Sequence, residues 1–424
     1  MEEKVRLPIG TGHVEIPLPP GSFDRLTLPL KGPGGLTPGA IKSTLLNPIH
    51  SRGLENLAGS ESEVVISVPD STRVAGADLY VGPLVEILEE NGVREENITF
   101  IFALGLHRPL GEMEKMRILG SECCERFTCL NHNPVDPELV ALGETSRGTR
   151  VAVHPRAAEA DLVITTGSVV FHFHAGFGGG PKGIVPGLAG EETIRHNHLL
   201  ALRGPEGWHP ACRPGNTEGN PIYEDLVEAA RMLEPPIFLA NSLLDPEGVM
   251  FDFVAGDLEK AHEIGRERYR TRFGIPLIEP VDVAVLSAGG RPRDLNLIQA
   301  HKAVAHTAPV VREGGTIVLA AECIEGFGHP DFAEWLRLGS PARILAETET
   351  SKKKYAQTAF AFLDKCEKTE VLFVTAMDVD DVALTGGRKV EPGEIAPYLR
   401  EKHGDDPSGI VLTEGATLLP YLPS

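Results

Sequence analysis

The chain lacks any apolar run long enough to cross a bilayer. Its longest, VDVAVLSAGG among them, stop far short of the ~20 residues a membrane helix needs. It also lacks a basic excess: 40 Lys and Arg stand against 60 Asp and Glu, a net charge of −20. So acidic a chain repels phosphate backbones and anionic lipid, which excludes broad nucleic-acid or membrane-surface binding. Cysteine is scarce. Cys123, Cys124, Cys129, Cys212, Cys323 and Cys366 fit neither a disulfide framework nor a CxxC pair set. They read as reduced thiols of a cytoplasmic protein. The opening MEEKVRLPIG has no basic n-region and no apolar h-region, so no signal peptide is expected. No internal repeat at solenoid or propeller spacing appears.

What is present is ordinary globular material. The 424 residues are 42% hydrophobic and 24% charged, enough for two or three domains of roughly 150 residues each. The 46 glycines and 34 prolines follow no period and signal many tight turns. Short β-branched runs recur at Val64–Val68, Ile98–Ala103, Leu162–Thr166, Ile237–Ser242, Val281–Ser287, Thr316–Ala321, Val371–Thr375 and Ile410–Thr413. Runs apolar at nearly every position suit strands buried on both faces. Amphipathic segments lie between them: Val81–Asn91, Tyr223–Leu233, Leu258–Arg270 and Phe332–Leu338. The alternation predicts an α/β protein of two domains, each with a mostly parallel sheet flanked by helices. GIPLIEPV, after a long charged helix and before a fresh strand, sets a boundary. Residues 1–276 are expected to form the first domain and 277–403 the second, with the tail from about 404 to 424 returning to the first.

The densest chemical signal runs from Val169 to His198. His172, His174, His196 and His198 are four of the chain's 15 histidines within 27 residues, and they follow a buried strand. Ligand-binding loops of α/β proteins sit at such strand ends. Each pair is spaced i, i+2 and would point one way if extended. Together they would make an all-imidazole site for Zn, Ni, Cu or Fe. Between the pairs, Gly176-Phe-Gly-Gly-Gly180-Pro-Lys182 lets backbone approach a ligand closely and offers N–H groups for an anion nest. It is not a phosphate loop, because Lys182 follows a proline and Gly183 stands where Ser or Thr would hold magnesium. A lysine held in such a loop can serve as a covalent attachment point.

Other strand ends carry weaker signals. Asp70, Ser71 and Thr72 suit a helix cap, and Arg73 suits a carboxylate or phosphate. His107 sits where a general base would. Gln299 and Lys302 share a helix face at i, i+3. Cys323 follows another strand without an evident histidine partner and reads as structural.

Taken together these residues resemble the nickel-pincer lactate racemase family of 2-hydroxyacid racemases and epimerases. The elements that carry the resemblance are D-x-T-R (Asp70, Thr72, Arg73) and G-x-H-R (Gly105, His107, Arg108). They continue with the loop from His172 through Lys182 to Gly187, then H-N-H at His196–His198. The run with Gly289, Gly290, Asp294, Asn296, Gln299 and Lys302 completes the set. Order and approximate spacing match from about residue 60 to 330.

The resemblance implies an active site in an interdomain cleft. It implies a nickel-bound pyridinium-3,5-bisthiocarboxylic acid mononucleotide attached through Lys182, with His198 as the protein ligand to nickel. His107 and His172 would be the acid/base pair. Asp70, Thr72, Gly178, Gly179 and Gly180 would hold the cofactor, and Arg73, Gln299 and Lys302 the substrate. Cofactor-maturation enzymes would be partners. Two bases on opposite faces suit a reaction that takes hydride from C2 of a 2-hydroxyacid and returns it to either face of a 2-keto acid. Imidazole suits both roles because it titrates near neutrality.

The chain departs from the family at Ile298, where a tyrosine is usual, at His174, where an aromatic is common, and at Val74, where proline is common. With Arg291 and Arg293 nearby, these departures point from lactate toward a longer or dicarboxylic acid such as malate. Two other readings stand beside this one. A zinc metallohydrolase would use His172, His174, His196 and His198 and dispense with Lys182. A non-enzymatic carrier of nickel or its cofactor would dispense with His107.

Overall fold

The computed structural model describes residues 3–28, 34–70, 74–204, 207–348, 350–351 and 353–423. Thr72 and Arg73, expected at the cofactor and the substrate, lie outside the described residues.

All eight predicted apolar runs fold as strands, in two six-stranded sheets. The first sheet runs Met250–Asp257, Ile237–Leu244, Leu162–Ser168, Val64–Pro69, Ile98–Ala103, Thr128–Asn131. Only its first strand is antiparallel to its neighbour. The second runs Arg388–Lys389, Glu370–Val374, Val311–Ala320, Val281–Ser287, Ser408–Leu412, Ser22–Leu26, and every pairing is parallel. Successive side chains point to opposite faces, so one strand feeds two cores. Val64, Ile66 and Val68 pack under the helix Ala77–Glu90 with Tyr80 and Leu84. Val65 faces the other way, into a cluster that runs on through Val163 and Leu239 to Ala284, Leu286 and Leu297 of the second sheet. The two lobes thus share one apolar core.

Sheet membership cuts across the expected domain limits at both ends of the chain. Ser22–Leu26 is the edge strand of the second sheet, and Val5, Leu7, Ile16 and Leu18 of the hairpin before it pack on Val283 and Val285 there. The tail does not return to the first sheet. Ser408–Leu412 inserts between Val281–Ser287 and the N-terminal edge strand. Leu419–Tyr421 then pairs with Gly274–Pro276 at the junction. The reason is that Ser22–Leu26 reads SFDRL and is mostly exposed. An edge strand needs little apolar character, so it leaves no periodic signal.

Parallel strands bring their carboxyl ends together. The first sheet gathers the segments after Pro69, Ala103 and Ser168 at one end, and the second gathers those after Ser287 and Ala320.

Candidate active site

The first group comes from two neighbouring strand ends. Asp70 directly follows Val64–Pro69 and is only 4% exposed. Its Oδ2 takes a short hydrogen bond from Nδ1 of His107. A carboxylate on Nδ1 holds the ring proton there and turns Nε2 outward with its lone pair free to act as a base. Asp70 was expected at the cofactor; among the described residues its side chain meets His107. The turn that lifts His107 off its strand needs Gly105 at φ +53°, with the Gly105 N–H donating to Gly187 O at 3.1 Å.

The second group lies on the loop after Leu162–Ser168. A tight hairpin pairs Phe171–His172 with Gly176–Phe177. Gly176, at φ +79°, is required there, since a Cβ would strike the Asn216 carbonyl. Lys182 Nζ donates to His172 Nε2 at 3.3 Å. The His172 and His174 rings are 4.6 Å apart, and the His174 and His198 rings 5.1 Å. Asn220 caps the helix Pro221–Arg231 and also donates through Nδ2 to His174 O at 2.9 Å. One side chain thereby starts a helix and pins the hairpin.

The expected anion nest is not open. The Gly178 N–H donates to Val170 O at 2.7 Å and the Gly180 N–H to Asn241 Oδ1 at 2.7 Å. These glycines are small because a Cβ at Gly179 would meet Asn241 and one at Gly180 the ring of His262. His262 is buried, bonded to Gly178 O at 3.0 Å and to Tyr223 Oη at 3.1 Å. Burial pushes its pKa down to about 3. Gly178 and Gly180 therefore pack the loop that carries Lys182, with their N–H groups bonded within the protein.

His196 and His198 part company. Both lie on the helix Glu191–Leu199, where i and i+2 face away from each other. His196 turns to Thr149 Oγ1 at 2.7 Å and Arg203 Nη2 at 3.0 Å. His198 turns to the site, and its pKa is pushed down to about 3 by burial and by the charges of Lys182 and His107. It is a neutral imidazole with a lone pair to give. The four-histidine zinc set does not assemble, because His196 is spent elsewhere. Among the described residues no three His, Cys, Asp or Glu side chains gather as metal ligands.

The second lobe contributes the helix Leu297–Thr307, capped by Asn296. Lys302 Nζ donates to Gln299 Oε1 at 2.6 Å, so the predicted pair does share a face. The helix seats on the first lobe through His301, whose ring lies edge-on to Phe173 at 4.9 Å. Ile298 packs against the main core. Asp294 is buried and ties loops together, accepting from Gly10 N at 2.6 Å and Glu322 N at 3.1 Å.

The arginines invoked for a second carboxylate are engaged elsewhere. Arg291 pairs with Glu322 at 2.6 Å. Arg293 donates to Pro246 O at 2.5 Å and faces Glu414 at 3.6 Å. Arg291→Ala and Arg293→Ala are accordingly expected to leave the preference between a dicarboxylic and a monocarboxylic hydroxyacid within about twofold, because a paired charge has little left for a ligand. A ratio of kcat/KM values for the two substrates checks this.

Sequence reasoning missed two residues of the second lobe. Lys354 Nζ donates to Leu106 O at 3.1 Å, next to His107. Gln357 Nε2 donates to His198 Nδ1 at 3.5 Å. Neither carries a local signal, since each finds its partner across the lobe boundary.

Comparison with known proteins agrees with this geometry. Residues 9–208 match the family described as the lactate racemase N-terminal domain, and residues 278–391 the lactate racemase C-terminal domain. A lactate racemase of Lactiplantibacillus plantarum is 33% identical over 293 residues, 69% of this chain and 68% of that one. One from Thermoanaerobacterium thermosaccharolyticum is 30% identical over 298 residues, 70% and 68% of the two chains. The solved lactate racemase apoprotein from Thermoanaerobacterium thermosaccharolyticum superposes with a TM-score of 0.88, covering 99% of this chain and 100% of that one at 24% identity.

Proposed function

We propose, from the premise that this chain belongs to the lactate racemase family and is an isomerase, that it inverts C2 of a 2-hydroxyacid through a 2-keto acid. The observation that carries the reading is one chain of contacts. It runs from Lys182 through His172 and His174 to His198, a half-buried neutral imidazole whose pKa also feels the charge of His107, the base held by Asp70. The donor set suits a nickel-pincer nucleotide. Such a group brings its own sulfur donors and asks the protein for one nitrogen and one amine, which His198 and Lys182 offer. No trio of protein ligands would be needed. When bound, this cofactor supplies the hydride acceptor and donor. Enzymes that build it would be the partners.

The chain's own residues do the rest. His107, with its lone pair on Nε2, takes the hydroxyl proton from one face of the substrate. His172 stands on a different strand end and serves the opposite face. Lys182 Nζ lies beside it, 3.3 Å from its Nε2. Lys302, steadied by Gln299, and Arg73 would hold the carboxylate while the carbon inverts. Local cations reconcile an anionic substrate with a chain of charge −20.

With Arg291 and Arg293 engaged, the motive for a dicarboxylic substrate weakens, while Ile298, His174 and Val74 still point away from lactate; lactate, the substrate in the relatives' name, serves as the reference acid for the test. The holoenzyme, matured beside a cofactor-synthesis pathway, is given enantiopure lactate carrying deuterium at C2, in ordinary water. Hydride removal and return keeps the deuterium in the inverted product. Its wash-out into solvent would mean direct proton abstraction and end this reading.

A further inference from the structure

Gln357 stands near the start of the helix Ala356–Lys368 in the second lobe and is buried at 8% exposure. A buried amide calls for an account of its hydrogen bonds. Among the described residues its side chain bonds across the lobe boundary, from Nε2 to Nδ1 of His198. The segment that carries it is firmly seated. The Lys354 N–H donates to Asp331 Oδ2 at 2.8 Å, and Trp335 Nε1 donates to Lys354 O at 2.9 Å. Lys354 Nζ fastens the same segment to Leu106 O of the first lobe at 3.1 Å. Tyr355 between them sits at φ +69°, a conformation a non-glycine residue adopts only where its surroundings impose it.

We propose that Gln357 is a positioning residue for His198: it engages Nδ1, fixes the ring and reserves Nε2 as the nitrogen offered to nickel. This rests on the cofactor reading above. The amide suits the task because a half-turn exchanges its ends. With Nε2 toward the ring it donates to Nδ1. With Oε1 toward the ring it accepts the Nδ1 proton, which leaves the lone pair on His198 Nε2. The second arrangement is the one metal-bound histidines use, and it raises the basicity of the ligating nitrogen. The second lobe thereby sets a ligand that the first lobe carries, and the contact at 3.5 Å has room to shorten when the ring is loaded.

Two variants test this. Gln357→Leu keeps the volume of a buried side chain and removes both ends of the amide. Gln357→Glu keeps an acceptor at Nδ1. Matured holoenzyme is challenged with excess EDTA, and nickel is followed by elemental analysis while intact mass follows the covalent nucleotide. The expected result is nickel loss roughly 10–100-fold faster in Gln357→Leu, nucleotide mass retained, and a wild-type rate in Gln357→Glu. Equal rates in all three overturn the proposal, as does faster loss in both variants, which would mark a packing role. Nitrogen-15 NMR of the cofactor-free protein reads the same contact without activity. Wild type should show one tautomer at His198 and Gln357→Leu a mixture; an unchanged spectrum again overturns it. Wild type that acquires neither adduct nor nickel would sink the cofactor reading instead, and the ring spectrum would then decide Gln357 by itself.

Discussion

Lys182→Ala, matured beside a full cofactor-synthesis pathway, should show neither the covalent mass increment nor turnover, a loss on the order of 10⁶-fold or more. The size follows from the role. A residue that holds the hydride carrier removes the whole catalysed route when it goes, not one contribution to it. The fold should survive. The loop is held by main-chain bonds that alanine keeps, among them Gly187 N–H to Lys182 O at 3.1 Å and the Lys182 N–H to Gly179 O at 3.2 Å. A thermal melt beside the assay checks this. Lys182→Arg separates charge from covalency. Arginine preserves a cation beside His172 but offers no amine to acylate, so it too should lack the adduct. An arginine variant with wild-type activity would show that Lys182 acts through charge alone, and a covalent tether would be excluded.

The second large effect belongs to Asp70. Asp70→Asn should lower kcat by about 10³–10⁴ with KM little changed and the adduct mass intact. A carboxylate can only accept, so it fixes the His107 proton on Nδ1. An amide in its place can donate to Nδ1, which moves the proton to Nε2 and blocks the base. His107→Ala should fall to a similar floor, and the double variant no further, since the two side chains act as a unit. The measurement also decides between two roles for this carboxylate. Loss of the adduct in Asp70→Asn, with kcat per loaded enzyme unchanged, would return Asp70 to the cofactor and remove it from His107.

Much of this was legible in the residues. The strands Val64–Pro69 and Leu162–Ser168 announce themselves because every position but the last is buried. Sheets covered on both faces demand continuous apolar runs. The order of motifs also pointed to the lactate racemase family before any contact was known. The places where reading along the chain failed share one cause. His196 and His198 look equivalent in a string of letters, yet a helix sends them to different sides. Arg291 and Arg293 look like free cations until Glu322 and Pro246 arrive from elsewhere. Gly178–Gly180 look like a cradle for an anion, but buried Asn241 and His262 fill the space a side chain would take.

Chemical identity and local conformation were therefore determined by the sequence: the buried strands, the glycine-rich loop, and the lysine and histidines at strand ends. Apolar periodicity and backbone sterics act over a few residues and can be read there. Partnership was decided by the tertiary structure alone. Ser22–Leu26 joins Ser408–Leu412 across nearly the whole chain, His107 meets Asp70, and His198 meets Gln357. Such pairings depend on where each lobe's surface comes to rest once the shared core of Val163, Leu239, Ala284 and Leu286 has closed. No spacing along the chain encodes that.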